Sequence, residues 1–321
     1  MRIAVMDDWQ GVARTSADWS ALETRADLTI LDQAFASEDA AAATLAPFDI
    51  LIPMRERTRF TATLLARLPN LRLIAQTGGR AMTLDLAACT AAGIQVCTTA
   101  GQKSGISTAE LALGLMLATT RHIPQGDQAL RAGRFQQGVG VGPVLDGRTL
   151  GIIGFGRIGA RMGGYGRALG MKLLAWSPNL TAEKAAAGGA DPVDRDTLLA
   201  TSDVISLHMV LSDRTRSMLA APELARMKPG AILINTARGP LVDETALLAA
   251  LHEGRIHAGL DVFEPEPLPQ DSPWRTAPNT VLTPHLGYGT NDVFHQFYTE
   301  AIECVLAFLD GTPIRKANDV P

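Results

Sequence analysis

The stretch Thr149-Leu-Gly-Ile-Ile-Gly154-Phe-Gly156-Arg157-Ile158-Gly159 decides how the rest of the chain is read. It is a G-x-G-x-x-G pattern that follows an apolar run and opens an amphipathic one. The spacing predicts a strand over 149–154 and a helix over 158–169. In that setting Gly154 permits the tight turn, Gly156 lets a pyrophosphate approach the backbone, and Gly159 lets the helix pack closely on the strand. The N–H groups at the helix start then face the phosphates. A glycine turn needed only for packing would show the same spacing, but the strand-turn-helix context favours the dinucleotide reading.

Working outward, short β-branched runs alternate with helical stretches in both directions. Downstream, strands are predicted at 172–176, 204–207, 231–235, 258–262 and 280–283, with helices at 194–200 and 244–253. Upstream, buried strands are predicted at 3–6, 28–31, 50–53 and 73–75. A helix at 107–121 has Ser107 or Thr108 as its cap and Glu110 near its first turn. That helix is apolar nearly all round, which predicts burial between layers. The glycine-rich stretch 125–147 is expected to be a surface loop. The last helix is predicted over about 291–309. Such alternation predicts an α/β fold with two doubly wound parallel sheets.

Bulk properties narrow the function class. The chain has 321 residues, 46% hydrophobic and 19% charged, enough apolar material for two domains. Net charge is −4 and no basic stripe is evident, so nucleic acid is not expected as a partner. No signal peptide and no run of ~18 apolar residues is seen, so no membrane partner is expected. Cys89, Cys97 and Cys304 are sparse and lack metal-ligand spacing, which predicts reduced thiols, no metal and a cytoplasmic location.

Three strand ends carry candidate chemistry. Asn235-Thr236-Ala237-Arg238-Gly239 places an arginine where an open α/β sheet faces its ligand crevice, and its fork suits a carboxylate. Gly259-Leu-Asp261-Val-Phe-Glu264-Pro-Glu266-Pro267 brings three acids to a second strand end. Thr283-Pro-His285-Leu-Gly287 brings a histidine to a third. Together they predict a reduction site: the histidine donates a proton to a carbonyl, a neighbouring glutamate holds the imidazole and raises its pKa, and the arginine binds the substrate carboxylate. Taken singly, Arg238 could be a surface ion pair, His285 a turn residue, and Glu264 or Glu266 solvated loop acids. At the next strand end Ser177 stands where an NAD enzyme usually shows an acid; the missing carboxylate leaves NADP open, and NAD is favoured on the lack of a nearby arginine. No arginine lies within 177–181 to bind a 2′-phosphate, and Lys184 is the nearest cation.

These stretches, in this order, resemble the D-isomer-specific 2-hydroxyacid dehydrogenase family over nearly the whole chain. The resemblance implies a Rossmann-type cofactor domain of about 101–288 and a flavodoxin-like substrate domain of about 1–100 plus 289–321, usually in a homodimer. It implies Arg238, Glu266 and His285 as catalytic residues and selects Glu266 over Glu264. It implies cofactor contacts from Thr108, Gly154, Gly156, Arg157, Ile158, Gly159, Ser177, Thr236, Ala237, Arg238, Asp261, His285 and Gly287, with Asp261 at the nicotinamide carboxamide. The substrate would be a small 2-oxo or 2-hydroxy acid such as glyoxylate or hydroxypyruvate.

On the substrate side the family's glycine-rich loop matches Gln76-Thr-Gly78-Gly79-Arg80-Ala81, an anion nest. Gly79-Arg80 departs from the commoner small-residue-then-glycine pattern. Arg80 is a candidate for a second anionic group on a dicarboxylate or phosphorylated substrate, and Arg55 and Arg57, after the strand at 50–53, could also reach the cleft. The alternatives are that Arg80 points to solvent or pairs with Asp85, and that Arg55 and Arg57 pair with Glu56. The extra regulatory domain of long phosphoglycerate dehydrogenases is not expected. Two further readings are a dinucleotide-sensing corepressor-like binding protein and a phosphite-oxidising enzyme. Formate oxidation is disfavoured because such enzymes carry glutamine at the position of Glu266.

Overall fold

The alternation of short buried strands with helices builds two separate parallel sheets. The computed structural model describes residues 1–79, 83–101 and 103–320. The chain divides into two compact units, Met1–Lys103 with Thr290–Pro321, and Ser104–Gly289.

The smaller unit contains β1 (Arg2–Val5), β2 (Asp27–Ile30), β3 (Ile50–Ile52), β4 (Leu73–Gln76) and β5 (Gln95–Thr98) in the order β2-β1-β3-β4-β5. Every pairing is parallel. Its inner strands are apolar without alternation because both faces are covered, as in β3 (Ile50-Leu-Ile52), which is wholly buried. The edge strand β2 is only half-buried and mixes Asp and Thr with Leu and Ile. Side-chain caps start the intervening helices: Ser37 accepts from Ala40 N–H, Thr61 from Leu64 N–H and Asp85 from Ala88 N–H. The C-terminal helix Asn291–Leu309, capped by Thr290, buries Phe294, Phe297, Tyr298 and Val305. Tyr298 packs on Trp19, with ring centroids 5.5 Å apart, so both ends of the chain share this unit's core.

The larger unit contains β6 (Thr149–Ile153), β7 (Lys172–Trp176), β8 (Asp191–Pro192), β9 (Val204–Leu207), β10 (Ile232–Asn235), β11 (His257–Leu260) and β12 (Thr280–Leu282). Their order is β12-β11-β10-β9-β6-β7-β8, again all parallel. Alternate side chains feed two cores. Ile205, Leu207, Leu233 and Leu260 face one side. Val204, Ile232 and Ile234 face the other, with Ala112, Leu115 and Met116 of the helix Ser104–Arg121. Sequential strands run to opposite sides of β6, so the order reverses between β6 and β9, the position at which open α/β sheets bind ligands.

Several expectations need correction. The helix expected at 107–121 begins at Ser104, so Ser107 and Thr108 are not its caps. Their hydroxyls instead donate to the Gly287 carbonyl, at 2.7 and 3.0 Å. The stretch 125–147 is not loop throughout, because a helix spans Ile123–Arg131. Pro124 in its first turn and the Asp127–Arg131 pair four residues apart support that helix despite Gly126. Short elements without clear periodicity, including β5, β8 and the helices Ala182–Ala187 and Ala221–Arg226, have no counterpart in the sequence reading. All three cysteines are buried free thiols.

Asp7, just past β1, is fully buried and left-handed (φ 62°). Its Oδ1 accepts from Thr58 Oγ1 at 2.8 Å, and its Oδ2 has no partner among the described residues. Burial pushes the carboxyl from 3.8 up to about 6 against the pull of Thr58 and Arg57. The folded state therefore holds this proton more tightly than the unfolded chain. The stabilisation is fully present below pH 3.8 and is lost as pH rises through about 6. Asp7→Asn should raise unfolding free energy at pH 8 by up to about 3 kcal/mol, and the gain should vanish below pH 4 in urea titrations. An equal gain at both pH values would contradict this account.

Candidate active site

The register of the larger sheet sets the site. Ile153 pairs with Leu207, Leu207 with Asn235, Asn235 with Leu260, and Leu260 with Leu282. The next residue of each strand therefore falls in one row along the carboxyl edge: Gly154, His208, Thr236, Asp261 and Thr283. The ladder continues into this row through His208 N–H to Ile153 O (2.8 Å), Asp261 N–H to Asn235 O (3.0 Å) and Thr283 N–H to Leu260 O (2.9 Å).

At the reversal point, Gly154 has φ +98°, and a Cβ there would lie 2.6 Å from the His208 carbonyl. A Cβ on Gly159 would lie 2.2 Å from the Gly154 carbonyl oxygen. Neither position has room for a side chain. Gly156 differs, because nothing lies within 4 Å of the Cβ it lacks. It is the N-cap of the helix Arg157–Ala168, and no side chain caps that helix. A helix start with open N–H groups and an open approach suits a phosphate. Thr236 adds a buried Oγ1 with no partner among the described residues. These features fit a dinucleotide. Ser177 Oγ accepts the Phe155 N–H at 2.7 Å, tying the end of β7 to the glycine turn. His208 sits 2.9 Å from Ser206 Oγ, and burial pushes its imidazole down to about 4, so it is neutral at pH 7.

Asp261 organises the histidine turn. It is fully buried; Oδ1 accepts from Thr283 Oγ1 (2.6 Å) and Leu286 N–H (2.7 Å), and Oδ2 from Gly287 N–H (2.8 Å). Burial raises its carboxyl above the ordinary value, while these donors and His285 pull it back. Its backbone carbonyl accepts the His285 N–H at 2.9 Å, and His285 is left-handed (φ 54°). Glu266 closes the pair: Oε2 lies 2.6 Å from His285 Nδ1, and Oε1 accepts the Phe263 N–H at 2.8 Å. Glu264 points elsewhere, into an exposed pair with Arg216 at 3.0 Å. Arg238 is half-buried, on a turn shaped by Asn235. The Asn235 amide donates to Arg238 O (2.9 Å) and accepts from Ala237 N–H (3.0 Å). Arg238, Glu266 and His285 thus follow three adjacent strands, β10, β11 and β12.

In the smaller unit, Arg55 (φ 54°) and Gly78 (φ +80°) come together. The Arg55 guanidinium occupies the space a Gly78 Cβ would need, and Thr77 Oγ1 accepts the Arg55 N–H at 2.8 Å. Gly79 is exposed beside them, and Arg80 lies outside the described residues. Arg57 turns away from this pair, donating to Asp7 O and Gln10 Oε1 (both 2.6 Å) and lying over Trp9.

Residues 113–287 match the model of the D-isomer specific 2-hydroxyacid dehydrogenase NAD binding domain, more than half of the chain. This chain belongs to the D-isomer specific 2-hydroxyacid dehydrogenase family. The matched segment runs from within the helix Ser104–Arg121 to Gly287. A hydroxypyruvate reductase of Thermotoga maritima is 39% identical over 259 residues, 79% of this chain and 83% of that protein. A D-3-phosphoglycerate dehydrogenase of Archaeoglobus fulgidus is 36% identical over 271 residues, 84% of this chain but 51% of that protein. The chain therefore spans about half the length of the D-3-phosphoglycerate dehydrogenases it matches. The crystal structure of a phosphoglycerate oxidoreductase from Vibrio cholerae superposes with a TM-score of 0.92 at 37% identity, covering 97% of this chain and 99% of that one. The two-sheet fold is the family's.

Sequence reading missed His208, Asn235, Thr283 and Tyr288. The first three end or directly follow strands whose ends the sequence placed to within one residue, but none of them carried a motif role there. Tyr288 meets the His285 ring, with centroids 5.5 Å apart and planes at 68°, and carried no motif signal.

The glycine geometry separates two outcomes. Gly156→Ala should fold with a melting temperature within about 2 °C of wild type, yet weaken NADH binding at least ~10-fold, by calorimetry. Gly159→Ala should lower the melting temperature by ~5 °C or more. Undiminished NADH affinity in Gly156→Ala would remove the phosphate cradle from this turn.

Proposed function

We propose that this family member is an NAD-dependent oxidoreductase that interconverts a small 2-oxo acid and its 2-hydroxy acid. The observation that carries the reading is the 2.6 Å Glu266–His285 pair, set on the same sheet edge as Arg238 and the open glycine turn. Gly154–Gly159 and the start of the helix Arg157–Ala168 would hold the pyrophosphate, and Thr108, Thr236 and Asp261 the nicotinamide end. Once bound, the nicotinamide supplies the hydride, or takes it back in the reverse direction.

The chain's own residues do the rest. Arg238 binds the substrate carboxylate through its fork and polarises the adjacent carbonyl. Glu266 holds His285 through Nδ1, which leaves the other ring nitrogen to carry the proton that reaches the substrate oxygen. Reduction thus consumes one proton and one hydride per carbonyl. Residues 104–289 are the dinucleotide-binding unit in this reading, and the other unit binds substrate through Arg55 and the backbone of Gly78 and Gly79. NAD is preferred over NADP because no arginine follows β7 within 177–181.

We also propose a cytoplasmic homodimer. Among the described residues no helix is long and apolar enough to cross a membrane. Exposed Ile123, Leu130, Phe135, Val141 and Val144 make an apolar stretch that a second copy would cover.

A panel of 2-oxo acids assayed with NADH and NADPH, by cofactor absorbance, tests the chemistry. His285→Ala and Glu266→Gln should lower kcat by about 10²–10⁴ and ~10-fold or more, respectively. Arg238→Lys should lower kcat/KM by about 10²-fold, since a lysine cannot make the bidentate contact. Near-wild-type turnover by His285→Ala across the panel would end this reading. A preference of more than about tenfold for NADPH would overturn the cofactor assignment.

A further inference from the structure

Glu266 holds the His285 ring through a single atom, Nδ1. Both side chains are partly open, 24% and 31% exposed, so water competes for that bond. With Nδ1 tethered, the imidazole can still rock about the line from its Cβ to that nitrogen, and the far nitrogen sweeps the widest arc. A contact away from that line is needed to stop it.

Tyr288 supplies such a contact. Its ring stands nearly perpendicular to the imidazole, at 5.5 Å between centroids, within the range of favourable aromatic pairs. The tyrosine is itself held, being only 5% exposed. The backbone between the two rings is clamped from both sides. Leu286 and Gly287 donate their N–H groups to Asp261, and the Gly287 carbonyl accepts from Ser107 and Thr108. The left-handed backbone of His285 turns its side chain within this clamped segment, three residues before the tyrosine.

We propose that Tyr288 is a positioning residue that holds the His285 imidazole in its proton-donating orientation by ring contact, as the second support beside Glu266. The proposal rests on His285 being the proton donor. The ring, not the hydroxyl, makes this contact, so phenylalanine should substitute for it and an aliphatic side chain should not. Substrate affinity is assigned to Arg238, Arg55 and the Gly78–Gly79 backbone, so the expected effect falls on kcat.

The test compares full-length Tyr288→Phe, Tyr288→Leu and His285→Gln, using a 2-oxo acid that wild type reduces. Tyr288→Leu fills most of the buried volume without a ring; Tyr288→Met is its substitute should leucine unfold the chain. Tyr288→Leu should lower kcat about five- to tenfold with KM within about twofold, and Tyr288→Phe should restore kcat to within about twofold of wild type. In parallel, ring resonances of histidine-labelled protein, assigned with His285→Gln, report on the imidazole without turnover. The His285 signal should shift and broaden in Tyr288→Leu and stay in place in Tyr288→Phe. Wild-type kcat together with an unmoved His285 signal in Tyr288→Leu overturns the proposal. A loss in Tyr288→Phe as large as in Tyr288→Leu overturns it too, by transferring the effect to the hydroxyl. Failure of the underlying chemistry looks different: His285→Gln would keep its turnover while Tyr288→Leu still moved the His285 signal.

Discussion

The in-register pairing of β6, β9, β10, β11 and β12 is the constraint on which the layout of the larger unit's carboxyl edge depends. A parallel sheet has no hairpins to set its register; packing on both faces must do so. Here Leu207, Leu233 and Leu260 face one core and Ile232 and Ile234 the other. A slip of one residue in β10 would exchange those faces and expose Asn235 and Thr236 to the wrong layer. The cores therefore carry positional information as well as stability. They fix where each strand stops, and the stops place Gly154, Thr236, Asp261 and Thr283 in one row.

Past that row, order is kept by buried polar atoms. Asp261 takes three donors in a fully buried position, and Asn235 closes the turn that carries Arg238. A buried carboxylate is costly unless its oxygens are satisfied, and here all three donors come from the segment 283–287 that carries His285. The same atoms that offset its desolvation hold His285 in a backbone conformation few residues adopt. Glu264 and Glu266, two residues apart, show the contrast. One reaches inward to a backbone N–H and the imidazole; the other meets Arg216 in solvent.

Much of this was legible in the sequence. Two-sided burial makes inner strands continuous apolar runs, so β1, β3, β6, β9 and β10 stood out, and the glycine spacing located the tight strand-to-helix turn at Gly154–Gly159. Arg238, Glu266 and His285 were singled out by motifs and by the family resemblance, and the structure brings Glu266 to His285. What escaped has physical causes. The helix Ile123–Arg131 is exposed and contains a glycine, so its signal is weak. Ser107 and Thr108 looked like caps because hydroxyls near a helix start usually are, yet a tertiary acceptor, Gly287 O, takes them. Tyr288 became visible only with the ring of His285 beside it.

Ser177 has a consequence for redesign. In many dinucleotide folds the residue at the end of the second strand can be exchanged to alter cofactor choice, because it only reads the ribose. Here its hydroxyl is also the acceptor for Phe155 N–H, in the middle of the glycine turn. In the proposed cofactor-binding mode, recognition of the sugar and the shape of the glycine turn are mechanically joined at one oxygen. A replacement that attracts a different nucleotide must also supply that acceptor, which narrows the workable choices to side chains with a short oxygen arm.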